Sequence, residues 1–217
     1  MPARIYVLAG VNGAGKSSLG GEAIKASGDC FYNPDLQARQ MHAASPGLTL
    51  EAANAQAWEL SRQGLEQALA QGSQFKFETT LGARTITAML LAGAKTGAEI
   101  HFWYAGLSSP ELHLQRVQSR VAAGGHDIPE AKIRQRYVSS VSNLVTLLPH
   151  LASLAVFDNS IDGDPKAGIA PRPVQVMRMV GGKITAILPL SDVPVWAKPI
   201  VMQALKLAAL SEHSSQH

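Results

Sequence analysis

Short apolar runs alternate with longer amphipathic stretches along most of the chain. The first, Ile5-Tyr6-Val7-Leu8-Ala9 after Arg4, is rich in β-branched and aromatic residues and predicts a buried strand over 4–9. Beyond it the pattern predicts a helix over 17–27 closed by Gly28, a short strand over 30–33 ending at Pro34-Asp35, and a helix over 36–44. A longer helix follows over 50–71, with Ala53, Ala57, Leu60, Leu65 and Leu69 as its apolar stripe. Further strands are predicted over 73–79, 99–106 and 154–157, separated by helices over 85–95, 110–123 and 129–148. Ser109-Pro110-Glu111 supplies a capping serine and a first-turn proline for one of them. Such alternation predicts an α/β fold on a parallel sheet, whose right-handed crossovers place ligands beyond the strand carboxyl ends. The C-terminal quarter changes period. Segments 174–180 and 183–188 flank Gly181-Gly182 as a β-hairpin, and after a proline-rich stretch a last helix is predicted to about position 210. The expected division is a core over 1–165 and a hairpin and helix over 166–217 appended to the same domain.

Between the first strand and the first helix lies Gly10-Val11-Asn12-Gly13-Ala14-Gly15-Lys16-Ser17, which fits the pattern G-x-x-x-x-G-K-[ST] in the strand-to-helix context that pattern needs. Glycines at 10, 13 and 15 let the backbone wrap a polyphosphate without Cβ clashes, so that N–H groups and the positive end of the helix face the anion. A nucleoside triphosphate is the expected ligand, held by Gly10, Asn12, Gly13, Ala14, Gly15, Lys16, Ser17 and Ser18. Lys16 would reach the β- and γ-phosphates and the Ser17 hydroxyl would ligate Mg²⁺.

Composition narrows the setting. With 217 residues the chain is long enough for a sizeable core, and its single cysteine, Cys30, cannot form an internal bridge. No leader and no uninterrupted apolar run of membrane-spanning length is visible, so a soluble, cytoplasmic protein is expected. A net charge of +3 without a basic tail or arginine-aromatic interleave fits small polyanions better than nucleic acid. The seven histidines are scattered without zinc-ligand spacing.

A phosphate loop alone does not separate an ATPase, a GTPase, a kinase and a nucleotide-gated switch. A guanine-reading N-K-x-D segment is missing, and so is an apolar strand closing on paired acids. What remains is a single acid, Asp35, at the end of the second predicted strand, where a kinase would keep a general base; a helix N-cap is its other reading. Glu78, with Thr79 and Thr80, ends the third strand and either orients an acceptor, holds a Mg²⁺-bound water, or faces solvent. Arg116 and Arg120 share a helix face, and Gly124-Gly125-His126 separates them from Arg134 and Arg136. Two helices bearing four guanidiniums predict a lid over 109–148 that closes on phosphates, the bland reading being two solvated basic faces. Asn159, in Asp158-Asn159-Ser160, can border the nucleotide base, whereas a simple turn accounts better for Asp158.

In this order the motifs resemble zeta-toxin-like P-loop kinases over residues 4–160: the phosphate loop, Asn33-Pro34-Asp35, Phe77-Glu78-Thr79-Thr80-Leu81, Arg116-Val117 and Arg120-Val121, Gly124-Gly125-His126, Pro129, Arg136-Tyr137 and Asp158-Asn159-Ser160. The resemblance is to the short bacterial members. It implies an adenylate-kinase-like fold with ATP and Mg²⁺ as cofactors, and transfer to a hydroxyl of a sugar nucleotide, UDP-N-acetylglucosamine in the characterised toxins. It also raises an antitoxin protein as a partner. Asp35 then matches the base, Lys16 the phosphate-loop lysine, Glu78 with Thr79 or Thr80 the sugar-nucleotide side, and Arg120 and Arg136, with Arg116 and Arg134 behind them, the phosphate-embracing arginines. Two departures stand out. The toxins' Pro-Gly-Ser-Gly loop core is Asn12-Gly13-Ala14-Gly15 here, and their Gly-Thr after the acid is Thr79-Thr80, which bears on acceptor choice. The other readings are a nucleotide-gated module that regulates a protein partner and a polynucleotide 5′-hydroxyl kinase.

Overall fold

The computed structural model describes residues 1–16, 19, 31–45, 47–123, 125, 127–161 and 172–214. Ser17, Ser18, Cys30, Gly124, His126 and nearly all of the predicted helix over 17–27 lie outside the described residues. Strand β1 (Arg4–Ala9) leads into the glycine loop. Helices α1 (Pro34–Ala44) and α2 (Leu50–Gln71) follow, then β2 (Gln74–Thr79), α3 (Arg84–Lys95) and β3 (Glu99–Gly106). Helices α4 (Pro110–Ala122) and α5 (Glu130–Leu147) precede β4 (Ser153–Asp158), the hairpin β5 (Val174–Val180) and β6 (Lys183–Ile187), and α6 (Lys198–Ser214).

The six strands among the described residues form one sheet in the order β2-β1-β3-β4-β5-β6. Strands β2, β1, β3 and β4 are parallel and in register, with Ala9 level with Thr79 on one side and Tyr104 on the other. Their carboxyl ends therefore gather at one edge of the sheet. The C-terminal hairpin extends this same sheet: β5 pairs antiparallel with β4, and β6 with β5. The second predicted strand shrinks to a single parallel bridge from Tyr32 to Phe77, because Pro34 starts α1 two residues later and Asn33 is already its N-cap.

Alternation along the strands sorts the core onto two faces. Ile5, Val7, Ala9, Phe77, Ile100, Phe102 and Tyr104 pack with Leu65, Leu90, Leu144, Leu147, Ile200 and Ala204 of the helices on one side. Leu8, Ala105 and Phe157 pack with Ala14 and Leu19 on the other. In α2 the buried stripe is Ala53, Ala57, Ser61, Leu65 and Ala68, which keeps Ala53, Ala57 and Leu65 of the predicted one; Leu69 packs partly buried on the core, and Leu60 is 44% exposed because the stripe turns onto Ser61. Where α1 crosses α2, the small residues Ala38, Ala53 and Ala57 let the two helices pack directly. Among the described residues no helix is long and apolar enough to cross a membrane.

Candidate functional site

The loop that leaves β1 has Gly10, Gly13 and Gly15 at φ of +148°, +82° and +77°, a region that side-chain-bearing residues rarely enter. Space forbids a side chain as well: a Cβ on Gly10 would lie 2.4 Å from the Ala105 carbonyl, and one on Gly13 would lie 2.8 Å from the His113 carbonyl. The loop is thus pressed between the end of β3 and α4. Lys16 closes it by donating from Nζ to the Gly10 carbonyl at 2.9 Å.

Beside the loop a cavity of about 1060 Å³ opens at the carboxyl edge of the parallel strands, and Asn12, Lys16, Asp35, Glu78, Thr79, Thr80 and Arg136 all line it. Burial holds the Lys16 ammonium below its usual pKa, opposed by the charges of Glu78 and Asp35, while Arg120 and Arg136 add to the lowering. Burial likewise raises the Glu78 carboxyl; Lys16 and a hydrogen bond from Asn33 oppose that rise, and Asp35 adds to it. Arg136 is depressed by burial and partly restored by Asp35. Two carboxylates, a lysine and two arginines thus form one electrostatic unit, although they come from five separate places in the sequence.

The local chemistry explains who is held and who is left to act. Asn33, not Asp35, caps α1: its Oδ1 accepts from the Leu36 amide at 3.0 Å. Asp35 in the first turn therefore keeps its carboxylate for the cavity. Arg136 reaches the loop by donating from Nη1 to Asn12 Oδ1 at 2.8 Å. Its stem passes over Gly82, where a Cβ would sit 2.4 Å from Arg136 Cγ. His113, buried in α4, bonds the Asn12 carbonyl through Nδ1 at 2.8 Å. That carbonyl can only accept, so Nδ1 carries the proton. Burial drives the His113 pKa down to about 4, the Asn12 bond opposes the fall, and the charges of Lys16 and Arg116 add to it.

The turn after Glu78 is fixed from both sides. Thr79 Oγ1 accepts from the Leu81 amide, with Leu81 at φ +53°, and the Thr80 carbonyl accepts from Ser140 Oγ, which also meets the Tyr104 hydroxyl. Ser139 and Asn143 of α5 donate to the Gly82 and Leu81 carbonyls.

Other expected residues fall elsewhere. Arg134, on the exposed side of α5, pairs with Glu111 and Glu130 at 2.7 Å each and is not among the residues that line the cavity. Arg116 donates to the Asn159 carbonyl, and Asn159 Nδ2 donates to the Ala14 carbonyl, so this pair braces the loop from the β4 side. Asp158 accepts from Ser160 Oγ and from Trp196 Nε1. Sequence reasoning missed His113, Gly82 and the α5 hydroxyl and amide groups. Their signals are a histidine on an apolar helix face and a glycine after a strand, patterns shared by countless structural positions.

A glycine loop and lysine at the end of the first of four parallel strands among the described residues, with arginine-bearing helices beside it, define a mixed α/β fold whose site lies at the strand carboxyl edge. No known protein-family model matches the chain. Among solved structures the chain is similar to the AvrRxo1-ORF1:-ORF2 complex with ATP, at a TM-score of 0.62 and 17% identity over 86% of this chain. The chain spans 60% of the length of that AvrRxo1 chain. It is also similar to a structure from the PezAT chromosomal toxin-antitoxin system of Streptococcus pneumoniae, at a TM-score of 0.55 and 14% identity over 98% of this chain and 88% of the other. An uncharacterized protein of Haemophilus influenzae is 30% identical over 131 residues, which cover 59% of this chain and 88% of that protein. The chain belongs to the same family as this Haemophilus protein.

Proposed function

We propose that the protein is an ATP-dependent phosphotransferase that moves the γ-phosphoryl group to a hydroxyl of a small phosphorylated acceptor. The observation that carries this reading is the convergence of Lys16, Asp35, Glu78 and Arg136 on one cavity beside the glycine loop. Phosphoryl transfer asks a protein mainly for positioning, for cations around the migrating group, and for a carboxylate at the acceptor hydroxyl.

The loop fits a triphosphate on two counts: the positive φ of its glycines and the lysine folded across its mouth. When bound, ATP would supply the electrophilic phosphorus and Mg²⁺ would offset the phosphate charge, with Ser17 the residue the motif assigns to the metal. Lys16 exchanges its bond to the Gly10 carbonyl for one to a phosphate oxygen. Asp35 takes the acceptor proton as the acceptor oxygen bonds to phosphorus and the bond from phosphorus to ADP breaks. Arg136 and Arg120 offset the charge that builds on the transferring group. Glu78, whose carboxyl burial pushes up from its ordinary pKa, hydrogen-bonds the acceptor alongside Thr80. Following the zeta-toxin resemblance, a sugar nucleotide such as UDP-N-acetylglucosamine is the leading acceptor. The AvrRxo1 structure is of an ORF1:ORF2 complex and the PezAT structure is from a toxin-antitoxin system, which supports a protein partner that restrains this site.

The test is incubation with γ-labelled ATP, Mg²⁺ and a panel of UDP-sugars, nucleosides and oligonucleotides, with Asp35→Asn beside the native chain. Label in a small acceptor, lost by a factor on the order of a hundred or more in Asp35→Asn while ATP binding persists, is the expected result. Full turnover in the variant overturns the assignment of the base. Release of free phosphate alone overturns the kinase reading and favours a nucleotide-gated partner protein.

A further inference from the structure

Helix α2 presents a second face that its core stripe does not explain. Glu51, Asn54 and Trp58 follow one another at helical spacings of three and four residues, and they line the cavity together with the stripe residue Ser61. Within this row Trp58 is 42% exposed, on a helix whose buried side is built from alanine, serine and leucine. It stacks on no other aromatic ring among the described residues. A large planar side chain left half in water on a cavity wall is costly as packing and well suited to a ligand.

The neighbours in the row add polarity of one kind. Asn54 spends an amide N–H on the Leu50 carbonyl at 2.9 Å, which orients its amide and leaves Oδ1 as an acceptor. Glu51, one turn earlier, is an exposed carboxylate. An aromatic plane flanked by acceptors matches a flat ring that carries N–H donors on its edge. Cations complete the wall, since Arg84 and Lys132 line the same cavity. At about 1060 Å³ the space exceeds what a donor's phosphates and one sugar ring would fill.

Resting on the phosphotransferase reading, we infer that the Glu51-Asn54-Trp58 row is an acceptor-base subsite, with Trp58 stacking on the heteroaromatic ring of a nucleotide-type acceptor. Selectivity for the acceptor then arises on α2, away from the reacting hydroxyl at Asp35.

Binding measured without turnover separates this subsite from the kinase chemistry. The full chain carrying Lys16→Ala, which weakens the donor side, is titrated calorimetrically with UMP, AMP and UDP-N-acetylglucosamine, and with N-acetylglucosamine 1-phosphate as a probe without a base. At least one base-bearing probe binds about tenfold or more tightly than the baseless one; a further Trp58→Ala removes that advantage, and Trp58→Phe keeps most of it. In the active chain Trp58→Ala raises the KM for the acceptor by a similar factor and leaves the KM for ATP alone. Equal binding of probes with and without a base overturns the proposal, as does no binding by any of them. So does an unchanged affinity in Trp58→Ala, or a shift in the KM for ATP instead. If no transfer occurs but Trp58-dependent binding persists, the kinase reading fails and the subsite stands.

Discussion

The parallel and antiparallel halves of the sheet are made from the same kinds of side chain, yet only one of them carries polar groups that converge. Strands β2, β1, β3 and β4 all end at one edge, and there the chain deploys Glu78 and Thr79, the glycine loop, and Asp158 with Asn159. Strand β5 runs the other way, so that Val180 ends beside Ser153, at the edge remote from the cavity. Direction of travel, more than composition, decides which strand ends can share a ligand. The antiparallel half serves the site indirectly. Its chain returns so that Trp196 packs against Gly106, where a Cβ would lie 2.4 Å from the indole, and donates to Asp158 at 3.2 Å. Chemistry belongs to the first half and support to the second, a division that substitutions can break.

The largest effect is expected at Arg136. Arg136→Ala removes the cation that joins α5 to Asn12, and kcat should fall by on the order of a thousandfold with little change in melting temperature. Gly82→Ala tests the same contact without touching a charge. Its Cβ collides with the Arg136 stem, so kcat is expected to drop about tenfold or more by a steady-state assay, and an unchanged rate would show that the arginine has room to move. In the antiparallel half, Trp196→Ala should cost about 3–5 kcal/mol of stability in urea unfolding. The rate per folded molecule should stay within about threefold, and a collapse of kcat would merge the two halves.

His113 sharpens the comparison through pH. Its folded pKa of about 4 lies below the ordinary 6.5, so between those values the unfolded chain binds a proton that the folded chain does not. Stability therefore rises with pH from about 4 to 6.5, and the contribution lost at the acid end is on the order of 3 kcal/mol. His113→Asn keeps a donor for the Asn12 carbonyl and removes the titration, so urea midpoints at pH 5 and pH 7 should converge. The smallest effect belongs to Arg134→Ala, two residues from Arg136. Its partners are exposed carboxylates, and activity should remain within about twofold.

The contrast between Arg134 and Arg136 shows where sequence reasoning stops. Both sit in one helical run and have the same chemistry, and spacing alone offers them equally to a lid. Helical phase sends one onto Glu111 and Glu130 and the other over Gly82 to the loop. Similarly, Asn33-Pro34-Asp35 supplies either residue as a cap. The backbone at Asn33, at φ −108° and ψ 106°, gives it the cap and releases Asp35.

By itself the sequence determined what depends on near neighbours along the chain. That includes the glycine loop, the strand and helix periods, Ser109 as a cap, Gly181-Gly182 as a turn, and hence the α/β class with its cavity at the strand carboxyl ends. These are short-range matters of φ, ψ and spacing. Tertiary structure alone decided that β5 and β6 lengthen the main sheet, that Asn12 is held jointly by Arg136 and His113, and that the α2 row from Glu51 to Trp58 faces the cavity. Each of those contacts joins residues far apart in the sequence, or depends on which way a helix is turned, and the packing that sets both is a property of the whole fold.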